Sequence, residues 1–181
     1  MRQGDSVPSG FTVEQLQAQI PRLRRYARAL TGSRDAADDL VQDALERAWT
    51  KRALWRPDSN LRAWLFAVMH NVFVNGVKRT RPMASLDALN EDGSAEPVAG
   101  NASAETDATL HDMSAALAQL PDEQRRVVLL VGLEQLTYSE AAEALEIPIG
   151  TVMSRLSRGR DRLRQLLDER NAGRNGLRRV K

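Results

Sequence analysis

The stretch that decides the fold runs from Leu136 to Leu167 and reads LTYSEAAEALEIPIGTVMSRLSRGRDRLRQLL. Thr137 and Glu140 have the T-x-x-E spacing of a capping box, so a helix is expected to begin at Tyr138. That helix cannot continue through Pro148, which lacks a backbone donor and disfavours helical geometry at the residue before it. The sequence therefore predicts two helices separated by a tight turn.

The second of these helices is amphipathic and basic. Val152, Leu156 and Leu163 recur at helical spacing and are expected to face inward. The opposite face carries Ser154, Arg155, Ser157, Arg158, Arg160, Arg162 and Arg164. Residues 150–181 hold ten Lys and Arg against three acids, a local balance of +7. A short helix, a turn and a longer basic helix form the plan of a helix-turn-helix, which favours a nucleic-acid partner over the alternative of a solvated face in a helical bundle.

The composition favours helices and excludes several kinds of site. Aromatic residues make up only 4% of the 181 residues, and there is no cysteine for a disulfide or a thiolate metal site. His70 and His111 are the only histidines, which leaves little for a metal site or a catalytic site. No apolar run has the length of a membrane span, and no signal-peptide core is recognisable, so a cytoplasmic protein is expected.

Charge divides the chain into three parts. Residues 1–81 carry fourteen basic and eight acidic side chains, whereas residues 82–124 carry nine acids and no Lys or Arg. Residues 125–181 carry twelve basic side chains and seven acids. The segment 82–111 is acidic, rich in small residues and without periodicity, which predicts a flexible linker between two domains. Its acids either keep a soluble tether extended or let the segment lie in a basic channel.

The first half predicts several helices. Thr12 with Gln15 caps a short one, a second runs from Pro21 to Leu30, and Gly32 is a natural stop before Ser33 as the next N-cap. The helix after Ser33 has an apolar stripe of Leu40, Val41, Ala44, Leu45, Ala48 and Trp49. Its other side presents Asp38, Asp39, Gln42, Asp43 and Glu46. These acidic and amide side chains form either a solvated face or a binding surface.

A loop at residues 55–60 is predicted by its Pro, Asp, Ser and Asn content, and a long helix from Leu61 to about Arg79 follows it. The apolar stripe of this helix is Trp64, Leu65, Val68, Met69, Val72 and Phe73. Its exposed side offers Arg62, Asn71, Asn75, Lys78 and Arg79. A basic track with polar groups beside it is typical of surfaces that bind single-stranded nucleic acid.

Two blocks of the sequence resemble one known family. Tyr138-Ser139-Glu140-Ala141-Ala142 and Ile147-Pro148-Ile149-Gly150-Thr151-Val152-Met153-Ser154-Arg155-Leu156 resemble region 4 of sigma-70-family factors, especially the short extracytoplasmic-function (ECF) type. Residues 120–125 resemble the start of that region. Residues 38–44 resemble region 2.2, and residues 61–65 with the helix after them resemble regions 2.3 and 2.4.

The resemblance implies an all-α protein with two small helical domains that acts as a promoter-specificity subunit of bacterial core RNA polymerase. The expected divisions are a tail at 1–11, region 2 at 12–81, the linker at 82–111, region 4 at 112–170 and a basic tail at 171–181. In the family the linker passes through the RNA-exit path of the polymerase. A controlling anti-sigma factor is expected as a further partner, which would hold the chain at the inner membrane, and the free chain is expected to be a monomer.

The resemblance also carries over site residues, position by position. For the double-stranded minus-thirty-five element they are Tyr138, Ser139, Thr151, Met153, Ser154, Arg155, Ser157, Arg158 and Arg160. For the melted minus-ten element they are Arg56, Asp58, Ser59, Asn60, Asn71, Asn75, Lys78 and Arg79. For core polymerase they are Asp38, Asp39, Gln42, Asp43 and Glu46. No catalytic residue, metal or cofactor is implied.

The sequence departs from the family pattern at three positions, which leaves the base preference open. Met153 stands where many relatives have a basic residue, Ser157 where an aromatic residue or His is frequent, and Asn75 where Asp is common. The alternative function is a helix-turn-helix regulator with a sensory N-terminal half. That half shows neither a ligand pocket motif nor a phosphoacceptor site. An enzyme is disfavoured because no His, Ser or Cys constellation supports one.

Overall fold

Eight α-helices account for most of residues 10–80 and 104–178, the part of the chain that the computed structural model describes. The first half contains α1 (Val13–Gln17), α2 (Ile20–Thr31), α3 (Arg34–Thr50) and α4 (Leu61–Thr80). The second half contains α5 (Ala104–Ala118), α6 (Asp122–Val128), α7 (Tyr138–Leu145) and α8 (Ile149–Arg178). A 3₁₀ turn at Arg52–Leu54 follows α3, and a π-helical turn at Leu129–Leu133 follows α6. No strand occurs in these two ranges, so the all-α prediction is confirmed.

Local capping signals set the ends of the first helices, as predicted. The Thr12 hydroxyl accepts a hydrogen bond from the Gln15 backbone, and the Gln15 side chain accepts one from the Thr12 backbone at 2.9 Å. Gly32 ends α2 in the left-handed conformation with φ of 72°, which glycine adopts without a steric penalty. The Ser33 hydroxyl then accepts from the backbone of Ala36 and begins α3.

The core of the first half lies between α2, α3 and α4. Tyr26 and Phe66 are fully buried and meet edge to face, with 5.1 Å between ring centroids. Phe11, just before α1, closes one end of this core against the rings of Trp55 and Trp64. Trp49 departs from the predicted inward stripe: it is 39% exposed, and the Arg52 guanidinium lies 4.7 Å from its ring centroid.

The second half builds a helix-turn-helix from α7 and α8. Glu146 ends α7 in the left-handed conformation, and the Pro148 carbonyl accepts the first hydrogen bonds of α8, from Thr151 and Val152. Val152 and Leu156 are buried, while Leu163 packs against the core from its edge. The predicted break at Pro148 and the predicted inward face are confirmed.

The two halves also pack against each other. Helix α4 lies against α7, and α2 lies against α5 and the π-helical turn. Buried residues of both halves therefore form one continuous hydrophobic cluster. The charge pattern gave no sign of this packing.

Two predicted boundaries need correction. Helix α5 begins at Ala104, inside the predicted linker 82–111, because its far end buries Ala116 and its Asp112 pairs with Arg170 of α8 at 3.5 Å. Helix α8 continues into the predicted tail 171–181 as far as Arg178; each glycine inside a helix costs only about 1 kcal/mol, which the long helix tolerates. Of the predicted tail 1–11, Phe11 is buried in the core, while residues 1–9 lie outside the described residues, as do 81–103 and 179–181.

Candidate nucleic-acid interface

The polar face of α8 is open to solvent at most of the positions predicted to contact duplex DNA. Met153, Ser154, Ser157, Arg158 and Arg160 are exposed, and Thr151 is half-buried. Their arrangement follows from the burial of Val152 and Leu156, which fixes the opposite side of the helix inward. The exposed face can therefore enter a groove without unpacking the core.

The two arginines at the centre of this face differ in their surroundings. Arg158 is exposed and folds back along the helix, where its Nε donates to the Ser154 carbonyl at 3.2 Å. Arg155 is half-buried, and its Nη2 lies 2.6 Å from a carboxylate oxygen of Glu123 on α6. Arg158 is thus free to reach a base, whereas Arg155 is held by a neighbouring acid.

Helix α7 starts at a complete capping box. Its first residues, Tyr138 and Ser139, are exposed. Glu140 Oε2 accepts from the Thr137 backbone at 2.8 Å and from the Thr137 hydroxyl at 2.9 Å. The reciprocal bond runs from the Glu140 backbone to the Thr137 hydroxyl, at 3.2 Å. The sequence signal at Thr137 and Glu140 is confirmed.

In the first half, the loop before α4 brings Arg56, Asp58, Ser59 and Asn60 together on the surface. Buried Trp55 anchors the start of the loop. Asn60 ends it, because its Oδ1 accepts from the backbone of Arg62 at 3.0 Å and from that of Ala63 at 3.4 Å. Asn60 therefore caps α4 and keeps its amide N–H groups for another partner.

Helix α4 continues this surface. Asn71 and Asn75 are both exposed and lie one turn apart on the same side of the helix. Lys78 and Arg79 belong to the same helix, but their side chains lie outside the described part of the chain. The loop and α4 thus place several of the predicted minus-ten residues on neighbouring parts of one half.

Carboxylates of α7 face this surface. Asn60 Nδ2 donates to Glu140 Oε1, and Asn71 Nδ2 donates to Glu146 Oε1 at 3.1 Å. Burial alone would raise the pKa of the Glu140 carboxyl. The hydrogen bonds from Thr137 and Asn60 outweigh that effect and hold the pKa of Glu140 below its ordinary value. Both asparagines are therefore bound by acids of the other half.

Two further contacts that involve charged side chains lie between the halves, and no sequence pattern predicts either of them. Glu134 is completely buried and accepts from Arg25 at 2.8 and 3.0 Å, with Arg22 at 3.9 Å. A second contact joins His70 Nδ1 of α4 to the Arg126 guanidinium of α6 at 3.5 Å. Burial, and then the charge of Arg126, lowers the pKa of His70 to about 4, so this histidine is neutral at pH 7.

The outer face of α3 carries the residues predicted to bind polymerase. Asp39, Gln42, Asp43 and Glu46 are exposed, and the Gln42 amide donates to Glu46 at 3.2 Å. Asp38 is half-buried and pairs with Arg24 at 3.6 Å. An open groove continues from this face to α4; it is lined by Asp43, Glu46, Arg47, Thr50, Val72, Asn75 and Gly76. The acidic face and Asn75 are therefore continuous on the surface.

The described residues contain no group of three or more His, Asp or Glu side chains that would suit a metal ion. Over the same ranges, no helix has both the length and the apolar character required to cross a membrane.

Comparison with known proteins identifies both halves. Residues 16–70 match the family model "Sigma2 domain of PhyR", and residues 110–163 match "Sigma-70, region 4". The chain is 35% identical over 155 residues to the ECF RNA polymerase sigma factor EcfG of Rhodopseudomonas palustris, covering 85% of this chain and 83% of that protein. It is 32% identical over 167 residues to the ECF RNA polymerase sigma factor SigE of Mycolicibacterium smegmatis, covering 91% of this chain and 64% of that protein.

A solved structure is similar over nearly the same extent. The sigma factor RpoE of Bartonella quintana, in complex with the anti-sigma factor NepR, superposes with a TM-score of 0.70 at 34% identity. The match covers 86% of this chain and 95% of that one.

Proposed function

Because the chain belongs to the family of ECF RNA polymerase sigma factors, we propose that it joins bacterial core RNA polymerase and directs it to promoters through two DNA-binding surfaces. Region 2 is assigned to α1–α4 and region 4 to α5–α8. The observation that carries the proposal is the pairing of an open helix-turn-helix face with a second polar surface on the loop and helix α4. The chain is a transcription regulator, and we assign it no catalytic step.

The polar face of α8 binds the minus-thirty-five element in this proposal. Arg158 and Ser154 near the start of the helix face base edges, while Arg160 further along supplies charge to phosphates. Tyr138 and Ser139 at the start of α7 contact the DNA backbone beside them. What supports these roles is the exposure of the side chains on a helix whose apolar side is fixed.

The loop before α4 and the outer face of α4 bind the melted minus-ten strand. Asn60 and Asn71 offer amide groups that hydrogen-bond to bases, and Arg56 offers positive charge. The exposed side of α3, with Asp39, Gln42 and Asp43, docks on the polymerase. The groove extends from Glu46 to Asn75, so the surface assigned to polymerase lies next to the surface assigned to the DNA strand.

We infer control by an anti-sigma factor, since the similar Bartonella quintana sigma factor is found in complex with one. The chain is expected in the cytoplasm, either free as a monomer or held at the inner membrane through that inhibitor.

Run-off transcription tests this function. Purified bacterial core polymerase is incubated with a library of genomic promoter fragments, with and without the chain. We expect discrete transcripts only when the chain is present. The free chain should bind the same duplex fragments weakly, because each DNA surface is small and the polymerase must hold both in place. Tight, sequence-specific binding by the free chain, with no effect on transcription, would favour a stand-alone regulator instead.

A further inference from the structure

Two asparagines that we assign to binding of the minus-ten strand already donate hydrogen bonds to carboxylates of the second half. Asn60 donates its amide N–H to Glu140, and Asn71 donates to Glu146 at 3.1 Å. Glu140 belongs to α7, the first helix of the helix-turn-helix, and Glu146 is the C-cap residue of that helix. Each asparagine presents to α7 the amide group that it would present to a base, so DNA and α7 require the same donors.

Other contacts hold α7 in this position. The completely buried Glu134 lies just before α7 and is bound by Arg25 of α2, which also donates to the Leu133 carbonyl at 3.3 Å. In addition, neutral His70 of α4 lies against Arg126 of α6. These contacts join the halves in addition to the hydrogen bonds of the asparagines.

The face assigned to polymerase remains open in the same arrangement. Asp39, Gln42 and Asp43 are exposed on α3 and take no part in the contacts with α7. Docking on polymerase therefore does not require the halves to separate first, whereas binding of the minus-ten strand does.

We propose that the free chain is closed by its own helix-turn-helix, with the carboxylates of Glu140 and Glu146 occupying Asn60 and Asn71 in place of single-stranded DNA. The minus-ten strand and α7 then compete for one surface, and the two halves must part before promoter DNA is held open. This inference rests on the proposed function, because it takes the asparagines to be DNA ligands.

The closed state lowers the apparent affinity for single-stranded DNA in proportion to its population. If about one molecule in ten is open, the dissociation constant is raised about tenfold, and a variant that is always open recovers that factor. The test is to open the chain without altering its DNA surfaces or its net charge.

Arg25→Ala with Glu146→Gly meets these conditions. It removes one positive and one negative charge, and glycine suits the left-handed backbone at position 146, where φ is 54°. Arg24→Ala with Glu143→Ala is the matched control: it has the same net charge and alters α2 and α7 at positions that take no part in the contacts between the halves described above, since Arg24 pairs with Asp38 within the first half. Circular dichroism verifies the helix content of both proteins.

Distance and affinity are measured on the same proteins. The chain has no cysteine, so Lys51→Cys and Gln165→Cys, both at exposed positions, place one spin label on each half. Fluorescence anisotropy follows binding of a fluorescein-labelled, 20-nucleotide single-stranded DNA of randomised sequence. We expect a longer, broader distance distribution and about tenfold tighter DNA binding for the opened variant, with neither change in the control.

Each result decides the inference. An unchanged distance distribution, or a longer distance with unchanged DNA affinity, overturns it. A gain in affinity that survives Asn60→Ala and Asn71→Ala in the opened variant overturns competition at these residues. If the double variant has lost helical signal, Glu146→Gly alone is measured against the same criteria, with a smaller gain expected.

Run-off transcription by the wild-type chain separates this inference from the proposed function. Normal transcription without any effect of opening on DNA affinity overturns the closed state only. Absence of transcription with core polymerase overturns the function itself.

Discussion

Arg25 donates two hydrogen bonds to the carboxylate of Glu134, a residue 109 positions further along the chain that is completely buried. A buried carboxylate is costly unless its charge is paired; both bonds reach Glu134 Oε1, while Oε2 accepts no hydrogen bond from the described residues. This pair therefore connects α2 to the turn that precedes the helix-turn-helix. Removing it should lower the free energy of unfolding.

We expect Arg25→Ala to lower the free energy of unfolding by about 2–3 kcal/mol, because Glu134 then stays buried with only Arg22 nearby. Replacing both partners, Arg25→Ala with Glu134→Leu, should recover most of that loss because no uncompensated charge remains. Urea denaturation followed by circular dichroism measures both. The control Arg24→Ala removes a partly exposed pair with Asp38 and should change stability by less than about 1 kcal/mol.

Protonation of His70 should weaken the packing of the two halves in acid. Its pKa is lowered to about 4 by burial and by Arg126 of α6, against an opposing effect of Glu146 at the end of α7. The neutral form is favoured in the folded chain, so this contribution is complete above pH 6.5 and is lost as the pH falls from 6.5 towards 4.

The expected loss between pH 7 and pH 5 is at most about 2 kcal/mol. It is measured as the difference in urea midpoint between wild type and His70→Gln at the two pH values. His111→Gln is the control, since His111 is exposed. An equal pH dependence in wild type and His70→Gln would show that His70 is not the group responsible.

Helix α8 approaches α6 closely at Gly159. A Cβ built at this position would lie 2.7 Å from Val128 Cγ2 and 3.4 Å from Gln124 Cβ. We expect Gly159→Ala to destabilise the chain by about 1–3 kcal/mol through overpacking, although alanine favours a helix. Gly76→Ala in α4, where nothing lies within 4 Å of a new Cβ, should be neutral or stabilising. Thermal unfolding of both variants compares the two sites.

The sequence predicted the features that depend on neighbours along the chain. Both capping boxes, the stop at Gly32 and the break at Pro148 arise from contacts between residues a few positions apart, and all are confirmed. The inward positions of Val152 and Leu156 follow from helical periodicity, and they are buried.

The contacts between the halves do not follow from such local patterns. Asn60 meets Glu140 across 80 positions and Asn71 meets Glu146 across 75 positions, and no periodicity encodes such pairs. Glu134 stands in an apolar run, where a lone acid is a signal that some distant cation is required. The early start of α5 was missed because packing against α8, rather than a sequence pattern, stabilises it.

Mutations should separate the function of the acidic face of α3, which is polymerase binding, from that of the surface on α4, which is binding of the open DNA strand. Asp39→Ala and Gln42→Ala are expected to weaken binding to core polymerase in a pull-down without altering circular dichroism, because both side chains are exposed. Asn71→Ala should bind the polymerase normally but fail to keep promoter DNA open, seen as lost permanganate reactivity near the start site. Loss of folding in either α3 variant would mean that this face is structural.

Arg155 and Arg158 should respond differently to truncation, although both lie on the polar face of α8. Arg158→Ala is expected to cost about 1–3 kcal/mol in promoter binding by the holoenzyme and to relax preference at one base pair, if the side chain reads a base edge. A contact to phosphate alone predicts uniform weakening and a salt slope reduced by about one. The stability of the free chain should barely change, since Arg158 bonds only within its own helix.

Arg155→Ala should instead lower the stability of the free chain by about 1 kcal/mol, because Arg155 is half-buried and paired with Glu123 at 2.6 Å. Glu123→Gln provides the matched test. If Glu123 holds Arg155 in its place on α8, Glu123→Gln should weaken promoter binding without touching DNA itself. Titration of labelled promoter fragments with each holoenzyme, at two salt concentrations, measures these effects. Normal transcription and binding by both arginine variants would remove α8 as the recognition helix.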